Sequence, residues 1–111
     1  MNINSLLNGS LQTIILKLLE DNKQMYGYEI SQKVLESSGG EVLLKDGALY
    51  PALHKLEGAG FLETTSEIVD GRARKYYRLT EQGGLEATNR VNEAHAFIAH
   101  LQSLLNLKPA F

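Results

Sequence analysis

Leu11, Ile14, Ile15, Leu18 and Leu19 stand at i, i+3, i+4, i+7 and i+8, the spacing that gathers apolar side chains onto one helical face. Ser10 or Ser5 is expected to cap the start of this helix, and Asp21-Asn22 suits its end. A second helix is predicted from about Tyr26-Gly27 to Ser38, with Ile30 and Val34 as i, i+4 neighbours. Gly39-Gly40 stops it, because glycine accepts the left-handed conformation that closes helices. After a connector over residues 41–45, Leu49, Leu53 and Leu56 give a third helix one buried face. Pro51 would break a helix interior, so the start is placed near Asp46 to Leu49, with the proline in the first turn or just past it. Gly58 and Gly60 mark the end of this helix.

The pattern then changes period. Phe61 to Val69 is rich in threonine and β-branched residues, Asp70-Gly71 follows, and Arg72 to Leu79 reads as a second strand. Asp-Gly between two such runs is a strong hairpin signal. In the second strand Tyr77 and Leu79 fall on one side, and Arg74, Tyr76 and Arg78 on the other. Thr80 is a plausible N-cap for a last helix, whose start Gly83 and Gly84 weaken. Farther along, Val91, Ala94, Ile98, Leu101 and Leu105 are spaced 3, 4, 3, 4, an a/d seam that Phe97 and Leu104 widen, and Pro109 is expected to end the helix. The predicted fold is mainly α with a small β-hairpin: a winged helix-turn-helix over residues 1–79 and a long C-terminal dimerisation helix over residues 80–111.

Charge alone does not advertise a nucleic-acid partner, since 11 Lys and Arg against 13 Asp and Glu leave a net −2. The distribution says more. Arg72, Arg74, Lys75 and Arg78 lie between Gly71 and Leu79 with no acid among them. A major groove accepts a helix, and the side of the third helix away from its leucines offers Ala48, Tyr50, His54 and Lys55. Lys45 and Lys55 are placed to reach phosphates, and Arg72, Arg74 and Lys75 suit phosphate or minor-groove contact from the wing. The competing readings pack Tyr50 under the wing, leave His54 merely exposed and make the charged wing a solubilising one. For the last helix, the seam either folds back on its own domain or packs on a twin. A dimer supplies the two-fold symmetry that addresses a palindromic site.

These stretches, Tyr26-Gly27-Tyr28-Glu29-Ile30, residues 47–57 (GALYPALHKLE) and residues 74–80 (RKYYRLT), with residues 8–11 (NGSL), together resemble the PadR family of bacterial transcriptional regulators. The match covers about residues 5 to 85, and the short tail resembles the compact branch with a single C-terminal helix. The resemblance implies a homodimeric winged-helix DNA-binding regulator, usually a repressor, released from its operator by a small molecule or another signal. The family's DNA-contacting helix and wing map onto Tyr50, His54, Lys55, Arg72, Arg74 and Lys75. Some compact members hold flat aromatic drugs between subunits with a tryptophan of the last helix. This sequence has no tryptophan, and its last helix offers His95 and Phe97 as effector-facing residues in that neighbourhood.

Other functions leave weaker traces. No nucleophile motif joins the serines, histidines and aspartates, and no phosphate-binding glycine loop is present, so an enzyme is not expected. His95 and His100 are five apart and do not share a helix face, and there is no cysteine, so neither a metal site nor a cofactor is expected. No apolar run is long enough to span a bilayer, and residues 1–10 lack a basic start followed by an apolar block, so a cytoplasmic protein without a membrane partner is expected. The stronger rival is a winged-helix protein–protein interaction module without DNA binding. The net negative charge favours it and the Arg72 to Arg78 cluster opposes it.

Overall fold

A computed structural model describes residues 8–107; Ser5 and Pro109, each expected to bound a helix, lie outside them. A short 3-10 turn at Asn8–Ser10 leads into α1 (Leu11–Asp21). Then come β1 (Met25–Tyr26), α2 (Gly27–Ser37), α3 (Asp46–Gly58), β2 (Leu62–Val69), β3 (Arg72–Leu79) and α4 (Glu81–Leu104). The chain is a winged helix-turn-helix followed by a long helix, as the periodicity predicts.

The core lies where α1, α3, the base of the sheet and the start of α4 meet. Ile15, Leu16 and Leu19 of α1 pack with Leu49, Ala52, Leu53 and Leu56 of α3, Ile30 of α2, Leu62 and Tyr77 of the sheet, and Ala87 of α4. Each large aliphatic side chain taken fully from water contributes about 1.5–3 kcal/mol. The predicted stripe of α1 is shifted: Leu16, absent from it, is fully buried, while Leu11, Ile14 and Leu18 are half-buried. The reason is that α1 is covered on more than one side, by α3 and β3 and by α4. A single-face pattern describes a helix with one neighbouring layer.

The sheet has three strands, in the order β1-β3-β2, where the sequence predicts a two-stranded hairpin. The third strand is only Met25 and Tyr26, paired with Tyr77 and Tyr76 of β3. Two residues carry no period, so nothing in the local pattern announces them. The β2–β3 register runs from Leu62↔Leu79 to Val69↔Arg72, closed by Asp70 and Gly71 with φ of 52° and 76°. Two consecutive positive φ angles define the turn whose twist matches its strands, and Asp-Gly is suited to it.

Helix ends follow local chemistry with two departures from expectation. Ser10 stands at the N-cap of α1 but makes no side-chain capping bond. The end of α4 is at Leu104, before any proline: Asn106 adopts a φ of 56°, its N–H donates to Ser103 O, and the Leu107 N–H donates to Gln102 O. Asparagine is one of the few residues that tolerate this left-handed closure. Leu105, counted in the predicted seam, is therefore the C-cap residue rather than part of the helix. Pro51 is the sixth residue of α3, just past the first turn, on the exposed side.

Thr80 caps α4 as expected, its hydroxyl oxygen accepting from the Gly83 N–H at 3.0 Å while its O–H donates to Gly60 O at 2.6 Å. Gly83 has a role that helix propensity does not reveal. A β-carbon there would collide with the carbonyl of Phe61. The first turn of α4 thus sits directly on the backbone that leaves α3.

Candidate nucleic-acid interface

Two surfaces converge on one side of the molecule: the outer face of α3 and the inner edge of the wing. Leu49, Ala52, Leu53 and Leu56 bury one side of α3. Helical geometry then turns Gly47, Ala48, Tyr50, Pro51, His54 and Lys55 outward, and all six are exposed. Lys45 is the exposed N-cap residue, and its carbonyl accepts from the Ala48 and Leu49 N–H groups. A helix N-terminus leaves its first amides without helical partners, which favours an anion there.

Tyr50 bridges the two surfaces. It remains 37% exposed. Its phenol reaches toward α2, where a β-carbon at Gly27 would stand 2.5 Å from the hydroxyl oxygen. Tyr50, Gly27, Tyr26, Ala73, Arg74 and Lys75 line one crevice of about 230 Å³, with Tyr77 at its back. Burial pushes the Tyr50 phenol above its ordinary value near 10, and the Asp46 carboxylate adds to the shift. The side chain is therefore a neutral donor across the physiological range. Tyr50 packs beneath the wing, as one of the two sequence readings has it, yet stays exposed at the surface. His54 is exposed, and no protein partner holds it among the described residues.

The wing cations divide into two pairs. Arg78 Nε is 2.8 Å from Glu63 Oε1 across the ladder. Lys75 Nζ is 3.8 Å from Glu57 Oε1 of α3 and 5.3 Å from the Tyr77 ring centroid. Arg72 and Arg74 have no carboxylate within ion-pair distance among the described residues. Arg74 instead lies over the Tyr26 ring, 4.5 Å from its centroid. The span from Leu62 to Leu79 also carries Glu63, Glu67 and Asp70, so the wing is less cationic than its second strand suggests. The acids are invisible in a window on β3 because the hairpin brings them from β2.

The predicted seam of α4 leaves the core progressively. Gly83 and Ala87 are the buried residues of this helix, Val91 and Ala94 are half-buried, and Ile98 is 54% exposed. Phe97, Leu101, Leu104 and Leu105 are exposed as well. Between the start of α1 and α4 lies a cleft of about 600 Å³ lined by Ser10, Thr13, Arg90, Ala94 and Phe97 among others. Phe97 therefore borders a cavity, whereas His95 is exposed and does not line it. Among the described residues no group of three or more His, Cys, Asp or Glu is placed to hold a metal ion, and no helix is long and apolar enough to cross a membrane.

Sequence reasoning reads Tyr26 and Gly27 as a helix start and as part of a family-like stretch, and misses that they line this crevice. The signal lies in pairing across the chain: Tyr26 opposes Tyr76, and Gly27 is the floor beneath Tyr50.

A sequence profile described as the transcriptional regulator PadR-like family matches residues 15–89. An uncharacterized protein from Lysinibacillus sphaericus is 35% identical over 89 residues, covering 79% of this chain and 81% of that one. Among solved structures, a transcriptional regulator from Clostridium thermocellum superposes with a TM-score of 0.78 at 27% identity, covering 92% of this chain and 95% of that chain. A PadR family transcriptional regulator from Eggerthella lenta superposes with a TM-score of 0.78 at 26% identity, covering 96% of this chain and 90% of that chain.

Proposed function

The chain belongs to the PadR-like family of transcriptional regulators, and from that premise we propose that it is a cytoplasmic homodimeric repressor that binds a palindromic operator and is released by a small-molecule effector. It is a DNA-binding regulator by family and not an enzyme. The observation that carries the site assignment is the shared crevice, in which Tyr50 of α3 and Arg74 and Lys75 of the wing border the same space. A helix in the major groove and a wing on the adjacent backbone require that proximity.

In this reading Ala48, Tyr50 and His54 face base edges, and Lys45, Lys55, Arg72 and Arg74 neutralise phosphates, with Lys75 joining once it leaves Glu57. The module over residues 1–79 makes these contacts, and residues 80–111 pair the subunits. Pairing is supported by the bare apolar side of α4: Ile98, Phe97, Leu101 and Leu104 would otherwise stay in water on a helix about 36 Å long. Val91, Ala94 and Leu105 extend the same seam. Release by an effector is supported by the cleft beside Phe97, at the level where the paired helices would meet. His95 has no cavity of its own and belongs to the proposal only through its position next to Ala94.

The test is footprinting on native genomic DNA, followed by titration of the protected duplex over a salt series. If both protomers engage Lys45, Lys55, Arg72 and Arg74, the slope of log K against log salt is about −7. A protected site without two-fold symmetry overturns the palindromic reading. Affinity independent of salt overturns phosphate contact and leaves the protein-docking module.

A further inference from the structure

Arg74 does something unusual for a cation on a β-ladder. Its direct cross-strand neighbour is Glu67, the position from which an ion pair is readily made. That pair is absent among the described residues. Glu67 Oε1 accepts instead from Gln24 Nε2 at 3.2 Å, and the guanidinium lies on the face of Tyr26. The other two engaged wing cations, Lys75 and Arg78, have carboxylate partners.

The difference matters because of which atoms each contact uses. A carboxylate takes the N–H edge of a guanidinium and cancels its charge. A ring takes the flat face, leaving the charge uncancelled and the N–H edge able to donate. Tyr26 is itself held firmly. Its backbone is paired with Tyr76, its N–H donates to Glu29 Oε1 at 3.1 Å, and its ring meets Tyr76 edge-on with centroids 5.5 Å apart. Tyr28 stacks beside it at 6.4 Å. Tyr26 also lies between α1 and α2 in the chain, so the platform ties wing strand β3 to the start of the helix-turn-helix.

We propose that Tyr26 is a positioning residue for DNA binding, holding the Arg74 guanidinium by its face at the crevice shared with Tyr50 so that its edge meets a phosphate already ordered. The inference rests on the reading of Arg74 as a phosphate contact. Ordering the side chain before the encounter removes rotamer freedom that binding would otherwise have to remove.

The test uses the full chain and a labelled duplex of mixed sequence, about 30 base pairs long, at low salt, because a phosphate contact needs no particular sequence. Tyr26→Phe keeps the ring and leaves the Kd unchanged, whereas Tyr26→Leu raises it about two- to fivefold. Progressively fluorinated phenylalanines at position 26 preserve shape while draining the ring face, and raise the Kd stepwise. In an Arg74→Ala background all of these changes have no further effect. An equal loss from Tyr26→Leu in that background assigns Tyr26 a merely structural part and overturns the proposal, as does a flat fluorination series. The free protein separates this failure from that of the underlying reading. The Arg74 Hε resonance is shifted upfield by the ring, persists in Tyr26→Phe and moves downfield in Tyr26→Leu. If that holds but Arg74→Ala leaves Kd and salt slope unchanged, the platform exists and the phosphate contact does not.

Discussion

Adding one methyl group to Gly83 should unfold part of the stability of this protein, although helix propensity says the opposite. In a helix interior Gly→Ala is normally worth about 1 kcal/mol in favour of folding. Gly84 is the control: it lies one residue on in the same helix, and a β-carbon there meets nothing within 4 Å. At Gly83 the new carbon would collide with the Phe61 carbonyl, a backbone group with little freedom, because the same oxygen accepts the Thr80 N–H at 3.0 Å. Relief requires the start of α4 to lift from the α3–β2 junction. That costs about 1–3 kcal/mol in overpacking and about 1 kcal/mol for the strained Thr80 cap, against the propensity gain. The net expectation is a loss of about 1–3 kcal/mol, read as a drop of about 4–12 °C in Tm at fixed protein concentration. Gly84→Ala should raise Tm by about 2–4 °C. Thermal unfolding by circular dichroism measures both. If Gly83→Ala is as stabilising as Gly84→Ala, the close approach of α4 to Phe61 is wrong.

Arg72→Ala and Arg74→Ala should each weaken DNA binding for all sequences and reduce the salt slope by about one unit per protomer, while Arg78→Ala, whose partner is Glu63, should leave the slope near the parent value; equal effects from all three would refute the division of the wing cations. Ile98→Glu should give a folded monomer, because a charge is tolerated on the free chain but not buried between two helices; light scattering that still reports a dimer places the interface elsewhere. The raised Tyr50 value means that the neutral phenol is favoured in the folded state. Its contribution to stability is complete below about pH 10 and is lost as pH climbs through the shifted value, so Tyr50→Phe should lose less stability than the parent in alkaline urea titrations. An identical alkaline decline in both proteins would sink that account.

What could be read from the order of residues was whatever is decided within a few positions. Asp70-Gly71 announces its turn because both φ angles are positive, and Leu49, Leu53 and Leu56 announce their face because the opposite side of α3 stays exposed. Thr80 announces its cap. What escaped was decided by distant neighbours. Met25 and Tyr26 become a strand only because Tyr76 and Tyr77 are beside them. Leu16 is buried because α1 has cover beyond its main stripe. Lys75 looks like a free cation until Glu57 of α3 arrives, and Arg78 until the ladder brings Glu63. Gly83 looks like a poor helix former and is in fact a packing requirement. For the candidate interface, the exposure of Ala48, Tyr50, His54 and Lys55 was legible, but which of the basic side chains keep their charge uncancelled was not.

β1 braces the wing only at Tyr76 and Tyr77, so the ladder from Ser66↔Lys75 outward to Val69↔Arg72 is a two-stranded ribbon with no third strand beside it. Such ribbons twist more freely than wider sheets and are marginal on their own. Arg72 rides at the end of that unsupported half, while Arg74 is tied back to β1 through the Tyr26 ring. In the proposed DNA-binding reading the tip beyond Arg74 can flex and follow grooves of different width, making it a forgiving gauge of DNA shape; the stringency of sequence choice then falls to the rigid helix beside it.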